Sequence, residues 1–209
     1  MKTLALALLL GNVGVAGAEA PIEIEGTYGY LDQQVVQRAV DATAASFDAC
    51  YRPLAESFRY LGGLAYLKIR VGRDGVVKKA WVDNGDLGSW KAEKCLLRLA
   101  RTMAFGPPRG GDALVEVPLQ FLAWTPADPG DGTELTAKLP RALARCPGAP
   151  ATATVVAYVG PGGRLKSTGF VGEVPEAWAD CATAKLKVLR VRDPRGRVLK
   201  VQAQVRRRP

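Results

Sequence analysis

A chain of 209 residues, 48% hydrophobic and 23% charged, is long enough for two small domains and too apolar to be disordered. It contains no histidine, which removes the commonest general base and the commonest metal ligand. The formal charge of +9 points to an anionic partner.

Met1 to Ala18 reads as a secretory signal peptide. Lys2 gives the positive start, Leu4 to Leu10 the apolar core, and Ala16, Gly17 and Ala18 the small-residue cleavage site. The apolar run is broken by Gly11, Asn12 and Gly14, short of the roughly 20 residues that a spanning helix needs. Export is therefore expected, to the periplasm or beyond, with the mature chain starting at Glu19 and holding no transmembrane span.

Residues 19–30 form an acidic N-terminal extension. From Leu31 to Phe58, Val36, Val40, Phe47, Cys50, Tyr51, Leu54 and Phe58 recur every three or four residues, which predicts a helix. Pro53 lies inside the pattern and is expected to kink the helix or end its regular part near Arg52. Leu64 to Val71 alternates Leu67, Ile69 and Val71 against Tyr66, Lys68 and Arg70, the period of a half-buried strand. Gly72 to Gly75 is an Asp-Gly turn, and Val76 to Val82 is the return strand. Trp90 to Met103 is a second helix with Ala92, Cys95, Leu96, Leu99 and Met103 on one face. Leu114 to Phe121 is a third strand with Val115, Val117, Leu119 and Phe121 inward.

Residues 125–133 hold two prolines, two glycines and two aspartates and read as a linker. This divides the chain into 31–124 and 134–209. The second part repeats the first in shortened form. It has a helical stretch from Leu135 to Cys146, a strand from Ala151 to Val159 and a turn at Gly160 to Gly163. A return strand at Leu165 to Phe170, a helix from Pro175 to Leu189 and a last strand at Val198 to Val205 complete it. An internal duplication is the economical reading.

Cys50, Cys95, Cys146 and Cys181 show no CxxC spacing, and without histidine a zinc site from four distant thiolates is improbable. An even count in an exported chain points to disulfides, with three connectivities open. The repeat favours Cys50–Cys95 and Cys146–Cys181, because each pair then falls inside one unit.

Residues 35–121 also resemble the TonB C-terminal-domain superfamily, and more closely the AgmX/PglI C-terminal domains. The resemblance is carried by Cys50 with Tyr51, Gly62 and Gly63, Gly72 to Val76, Cys95, the stretch from Ala104 through Phe105 and Pro107 to Gly111, and Val117 to Phe121. The second unit is a weaker match. It keeps Cys146, Gly162, Gly163, Cys181 and Gly196 but lacks the Cys-Tyr and Phe-x-x-Pro signals. The resemblance implies an α+β protein of two tandem modules. Each would be a three-stranded antiparallel sheet with two helices on one face, in the order α-β-β-α-β. It also implies a capacity to add a partner's strand to a sheet edge.

Residues 19–132 carry 13 basic and 15 acidic side chains, whereas residues 133–209 carry 15 basic and 5 acidic. The excess concentrates in Lys185, Lys187, Arg190, Arg192, Arg195, Arg197, Lys200, Arg206, Arg207 and Arg208, a candidate patch for an anionic envelope polymer or lipid surface. Nucleic acid is not expected, since no groove-reading motif accompanies the charge. Pro118 removes a backbone donor from the first closing strand and blunts its edge. The second closing strand has Gln202 in that place, so Val198, Lys200, Gln202 and Gln204 form the candidate edge for strand addition. Self-association through sheet edges is the other outcome such edges allow.

Catalytic, cofactor and metal residues are not expected. The four serines, Ser46, Ser57, Ser89 and Ser167, lie in no nucleophile-elbow setting, and Lys91, Glu93 and Lys94 read as a solvated helix face. Asp74 and the run from Asp83 to Asp86 read as turn chemistry. The glycine-rich stretches form no phosphate-binding fingerprint. The expected function is a non-catalytic envelope interaction protein that docks a protein partner. The alternative is a basic adhesion or scaffold factor.

Overall fold

The computed structural model describes residues 29–206. The expected signal peptide, most of the N-terminal extension, Arg207 and Arg208 lie outside the described residues.

The first unit opens with α1 (Gln33–Ser57), whose Asp32 cap accepts from the Gln34 N–H. The helix runs one turn past Arg52, so Pro53 does not end it. The amide that proline lacks falls near the C-terminus of the helix, and Val36, Phe47, Cys50, Tyr51 and Leu54 hold the stripe against the core. β1 (Gly63–Val71) is central in a three-stranded antiparallel sheet, flanked by β2 (Val77–Gly85) and β3 (Ala113–Phe121). Leu67, Ile69 and Val71 face inward, opposite Val117, Val115 and Ala113 of β3. α2 (Trp90–Thr102) lies between β2 and β3 in sequence and is joined to α1 by the disulfide Cys50–Cys95, Cα atoms 5.7 Å apart.

The second unit follows the same order. α3 (Thr133–Ala142) is short and ends before Cys146, not at it; Pro140 lies within it, and a turn leads on to the cysteine. β5 (Thr152–Gly160), β6 (Arg164–Val171), α4 (Glu176–Lys187) and β7 (Leu199–Arg206) complete it. The disulfide Cys146–Cys181 pins the chain just past α3 to α4, Cα atoms 5.6 Å apart. β5 lies between β6 and β7 as β1 lies between β2 and β3.

The second sheet is not three-stranded and antiparallel as expected, but four-stranded and mixed. The linker contributes β4 (Asp128–Pro129), paired in parallel with β7. The physical reason lies in the spacing of donors. Pro129 has no N–H, yet it sits between Asp128 and Gly130, whose amides both reach outward carbonyls of the closing strand. A proline at alternate spacing costs an edge ladder nothing.

One hydrophobic core runs through both units. Phe170 packs edge-on against Trp90 of the first unit and Trp178 of the second, at 5.8 and 5.3 Å between ring centroids. Among the described residues, no helix is long and apolar enough to cross a membrane.

Candidate interaction site

A protein that binds through its sheets must leave backbone donors and acceptors unpaired at some edge, so the edges decide where binding can occur. The edges of β2 and β6 close on one another. The Gly172 N–H donates to the Val82 carbonyl at 2.7 Å, and the Phe170 N–H donates to Glu93 Oε2 at 2.8 Å. A side-chain carboxylate here continues a ladder between two sheets.

Glu93 was expected on a solvated face, yet it is 1% exposed. Burial pushes its carboxyl up to about 7, against the pull of N–H groups from Phe170, Ser89 and Gly88. Its neighbour Lys94 is also engaged, donating to Asp180 at 2.7 Å and pairing with Glu176 at 3.0 Å. Those bonds hold Asp180 and Glu176 below the usual carboxylate range. Arg98 and Arg101 reach the same Glu176, and the Trp90 indole donates to Asp180 at 2.7 Å. α2 thus presents its polar residues to α4 of the other unit.

A second junction lies at Gly62. The Tyr158 hydroxyl donates to the Gly62 carbonyl at 2.6 Å and accepts from the Gly62 N–H at 3.2 Å. Lys200 donates to that carbonyl at 2.7 Å and to Asp86 Oδ2 at 2.8 Å. Lys200 is therefore committed within the protein and leaves the expected basic patch. Asp74 accepts from the Val76 N–H within the expected turn, whereas Asp83 lies in β2 and not in a turn, accepting from the Trp81 indole and from Lys68 of β1.

The edge expected to be open on β7 is largely occupied. The Asp128 N–H donates to the Val198 carbonyl at 3.1 Å and the Gly130 N–H to the Lys200 carbonyl at 2.9 Å. Gly132 lies so close to Gln202 that a Cβ there would sit 1.8 Å from its carbonyl oxygen. Of the expected edge residues Val198, Lys200, Gln202 and Gln204, only Gln204 lies beyond this cover.

That leaves the outer side of β3, on which no strand lies among the described residues. The Asp112 carbonyl just before it turns outward to accept from the Gly29 N–H at 2.6 Å, and Tyr30 and Arg109 form a reciprocal pair. By alternation, the even-numbered residues of β3 present their backbone outward, Pro118 among them. Its missing N–H falls on the open side and costs the β1 pairing nothing.

Lys185, Lys187, Arg190, Arg192, Arg195, Arg197 and Arg206 are all exposed. Five of them fall into two groups. Lys185 and Lys187 lie in the last turn of α4, whereas Arg192, Arg195 and Arg197 line a cleft beside the start of α3. No family model, no curated protein and no solved structure matches this chain.

Proposed function

We propose that this is a non-catalytic, exported envelope protein of two tandem TonB-C-terminal-like units, which docks an extended segment of a partner protein along the outer edge of β3. The observation that carries the reading is the inventory of edges. The β2 and β6 edges meet each other, the β7 edge holds the linker, and β3 has no strand beside it among the described residues. Two disulfides suit an oxidising compartment such as the periplasm. Strand addition draws affinity from main-chain hydrogen bonds and specificity from alternate side chains. Pro118 restricts the ladder to donors on either side of it, notably Leu114 and Gln120.

The test is backbone amide exchange on the full chain after photocrosslinking from position 122, exposed just past β3, to its envelope partner. The amides of Leu114 and Gln120 gain protection in the adduct, and Gln120→Pro abolishes the adduct while circular dichroism stays unchanged. Unchanged exchange along β3 in a purified adduct sinks the reading.

The exposed arginines and lysines of the second unit favour a second reading, in which it grips an anionic envelope polymer. Binding of that kind weakens steeply between low and moderate salt, whereas strand addition barely responds.

A further inference from the structure

The two units differ sharply at one topologically equivalent place. We propose that in the second unit this place is a binding cleft for an anionic amphiphile, an alkyl chain ending in a carboxylate or phosphate. The proposal does not depend on strand addition at β3.

Backbone pairing sets the equivalence. The isolated bridge Val76↔Ala104 in the first unit corresponds to Arg164↔Arg190 in the second, each tying the start of a return strand to the segment after the following helix. The next residues are Phe105 and Val191, each ten positions beyond its helical cysteine. Phe105 is buried, 2% exposed, and the hollow between it and the start of α1 measures about 230 Å³. Val191 is smaller and only half-buried, and the corresponding hollow beside α3 measures about 720 Å³. That is the size of a small-molecule site.

The chemistry of the walls selects the ligand. Leu135, Val159 and Val201, all core residues, supply an apolar floor that an alkyl chain would desolvate. Arg192, Arg195 and Arg197 stand at the mouth. The acids there hold donors close at hand. Asp131 accepts from the Thr133 amide and hydroxyl at 2.9 and 2.6 Å, and Asp193 accepts from the Arg195 N–H at 3.0 Å. Glu134 accepts from Lys138 at 2.6 Å and from the Arg192 N–H at 2.8 Å. Arg197 pairs with Asp128 at 3.4 Å. No ion pair within 4 Å engages the guanidinium of Arg192 or Arg195 among the described residues, although, after the Lys138 hydrogen bond, the charge of Arg192 helps hold Glu134 below the usual carboxylate range. Arg195 also holds a left-handed backbone, φ 55°, unusual for a residue with a side chain. Guanidinium forks suit carboxylate and phosphate oxygens. A small anion would leave the floor wet, and a neutral chain would leave the arginines unused. An amphiphile satisfies both.

Titration calorimetry on the full chain tests this with dodecyl phosphate and dodecanoate below their micelle concentrations. Inorganic phosphate and dodecyl maltoside serve as the headgroup and chain controls. Both amphiphiles bind, and both controls bind at least about tenfold more weakly, dodecyl maltoside for want of the charge-assisted contacts and inorganic phosphate for want of the buried chain. Val191→Phe, which installs the residue the first unit already carries there, removes binding. Arg192→Gln with Arg195→Gln, both at exposed positions, weakens it about tenfold or more without changing the melting temperature. Vesicles of phosphatidylglycerol against phosphatidylcholine then separate the sources. Retention on the anionic vesicles, lost in Val191→Phe, identifies a membrane lipid. Binding of soluble amphiphile without vesicle retention identifies a free one. The proposal is overturned if neither amphiphile binds, if inorganic phosphate or dodecyl maltoside binds as tightly as they do, or if the arginine variant binds like the wild type.

Discussion

Glu93 is the residue on which pH should act most directly. Its carboxyl is raised from 4.5 to about 7 in the folded protein, so the folded state holds the proton more tightly than the unfolded chain. The resulting stability is fully present below pH 4.5. It falls as pH rises towards 7 and levels off above, by at most about 3 kcal/mol at 1.36 kcal/mol per unit. Urea unfolding at pH 5, 6, 7 and 8 is expected to show that decline. In Glu93→Gln the decline flattens, while stability drops by about 1–3 kcal/mol because an amide NH₂ then faces a backbone donor of Ser89 or Phe170. An unchanged slope in the variant would remove Glu93 as its source. Tyr158 gives a complementary test without titration. Its hydroxyl satisfies both backbone groups of buried Gly62, so Tyr158→Phe should cost about 1–3 kcal/mol, read as a lowered unfolding midpoint. Neither role was legible in the sequence. The partners lie 77 and 96 residues away, and a Glu between two lysines on an amphipathic helix has the local look of solvation.

At the scale of elements, periodicity carried most of the information. β1, β3 and α2 fall where alternation and helical spacing put them, because each has one face in water and one in the core. Both cysteine pairs follow from the recurrence of α-β-β-α-β. Each disulfide closes a loop, of separation 45 and 35, that restricts the unfolded chain by about 4 kcal/mol in the entropic account. Cys50→Ala with Cys95→Ala should therefore lower the denaturation midpoint markedly, and a loss below about 1 kcal/mol would mean the reduced chain retains structure. The linker was illegible for a different reason. Prolines and glycines signal a loop locally, and only the position of Asp128 and Gly130 beside β7 turns that loop into a strand. Gly132 holds the arrangement through close approach, since any Cβ would strike the Gln202 carbonyl. Gly132→Val is expected to lift β4 away, speed amide exchange on the outward side of β7, and produce concentration-dependent association on size-exclusion chromatography. Exchange no faster than in the wild type would show that β4 does not depend on this contact.

At the scale of the whole molecule, a repeat read from sequence suggests two separate bodies, because pattern and spacing report only on the unit that contains them. The contacts between the units are of another kind. They include a backbone bridge at Val82 and Gly172, four side chains (Glu93, Tyr158, Ser167 and Lys200) that bond backbone groups across the junction, and an aromatic sequence from Trp90 through Phe170 to Trp178. The ion pairs of Lys94, Arg98 and Arg101 with Glu176 and Asp180 lie at the exposed margin and add little each in salt. Buried apolar contact and satisfied backbone groups should dominate, and they are lost together when either unit opens. Unfolding is therefore expected as a single transition, with tryptophan fluorescence and far-ultraviolet circular dichroism tracing coincident curves in urea, insensitive to 0.5 M salt at about the Debye length of a few ångströms. Two separated transitions would mean that the junction contributes less than either unit's own core, and the pH dependence assigned to Glu93 would then appear in the transition that opens the junction and exposes its carboxyl.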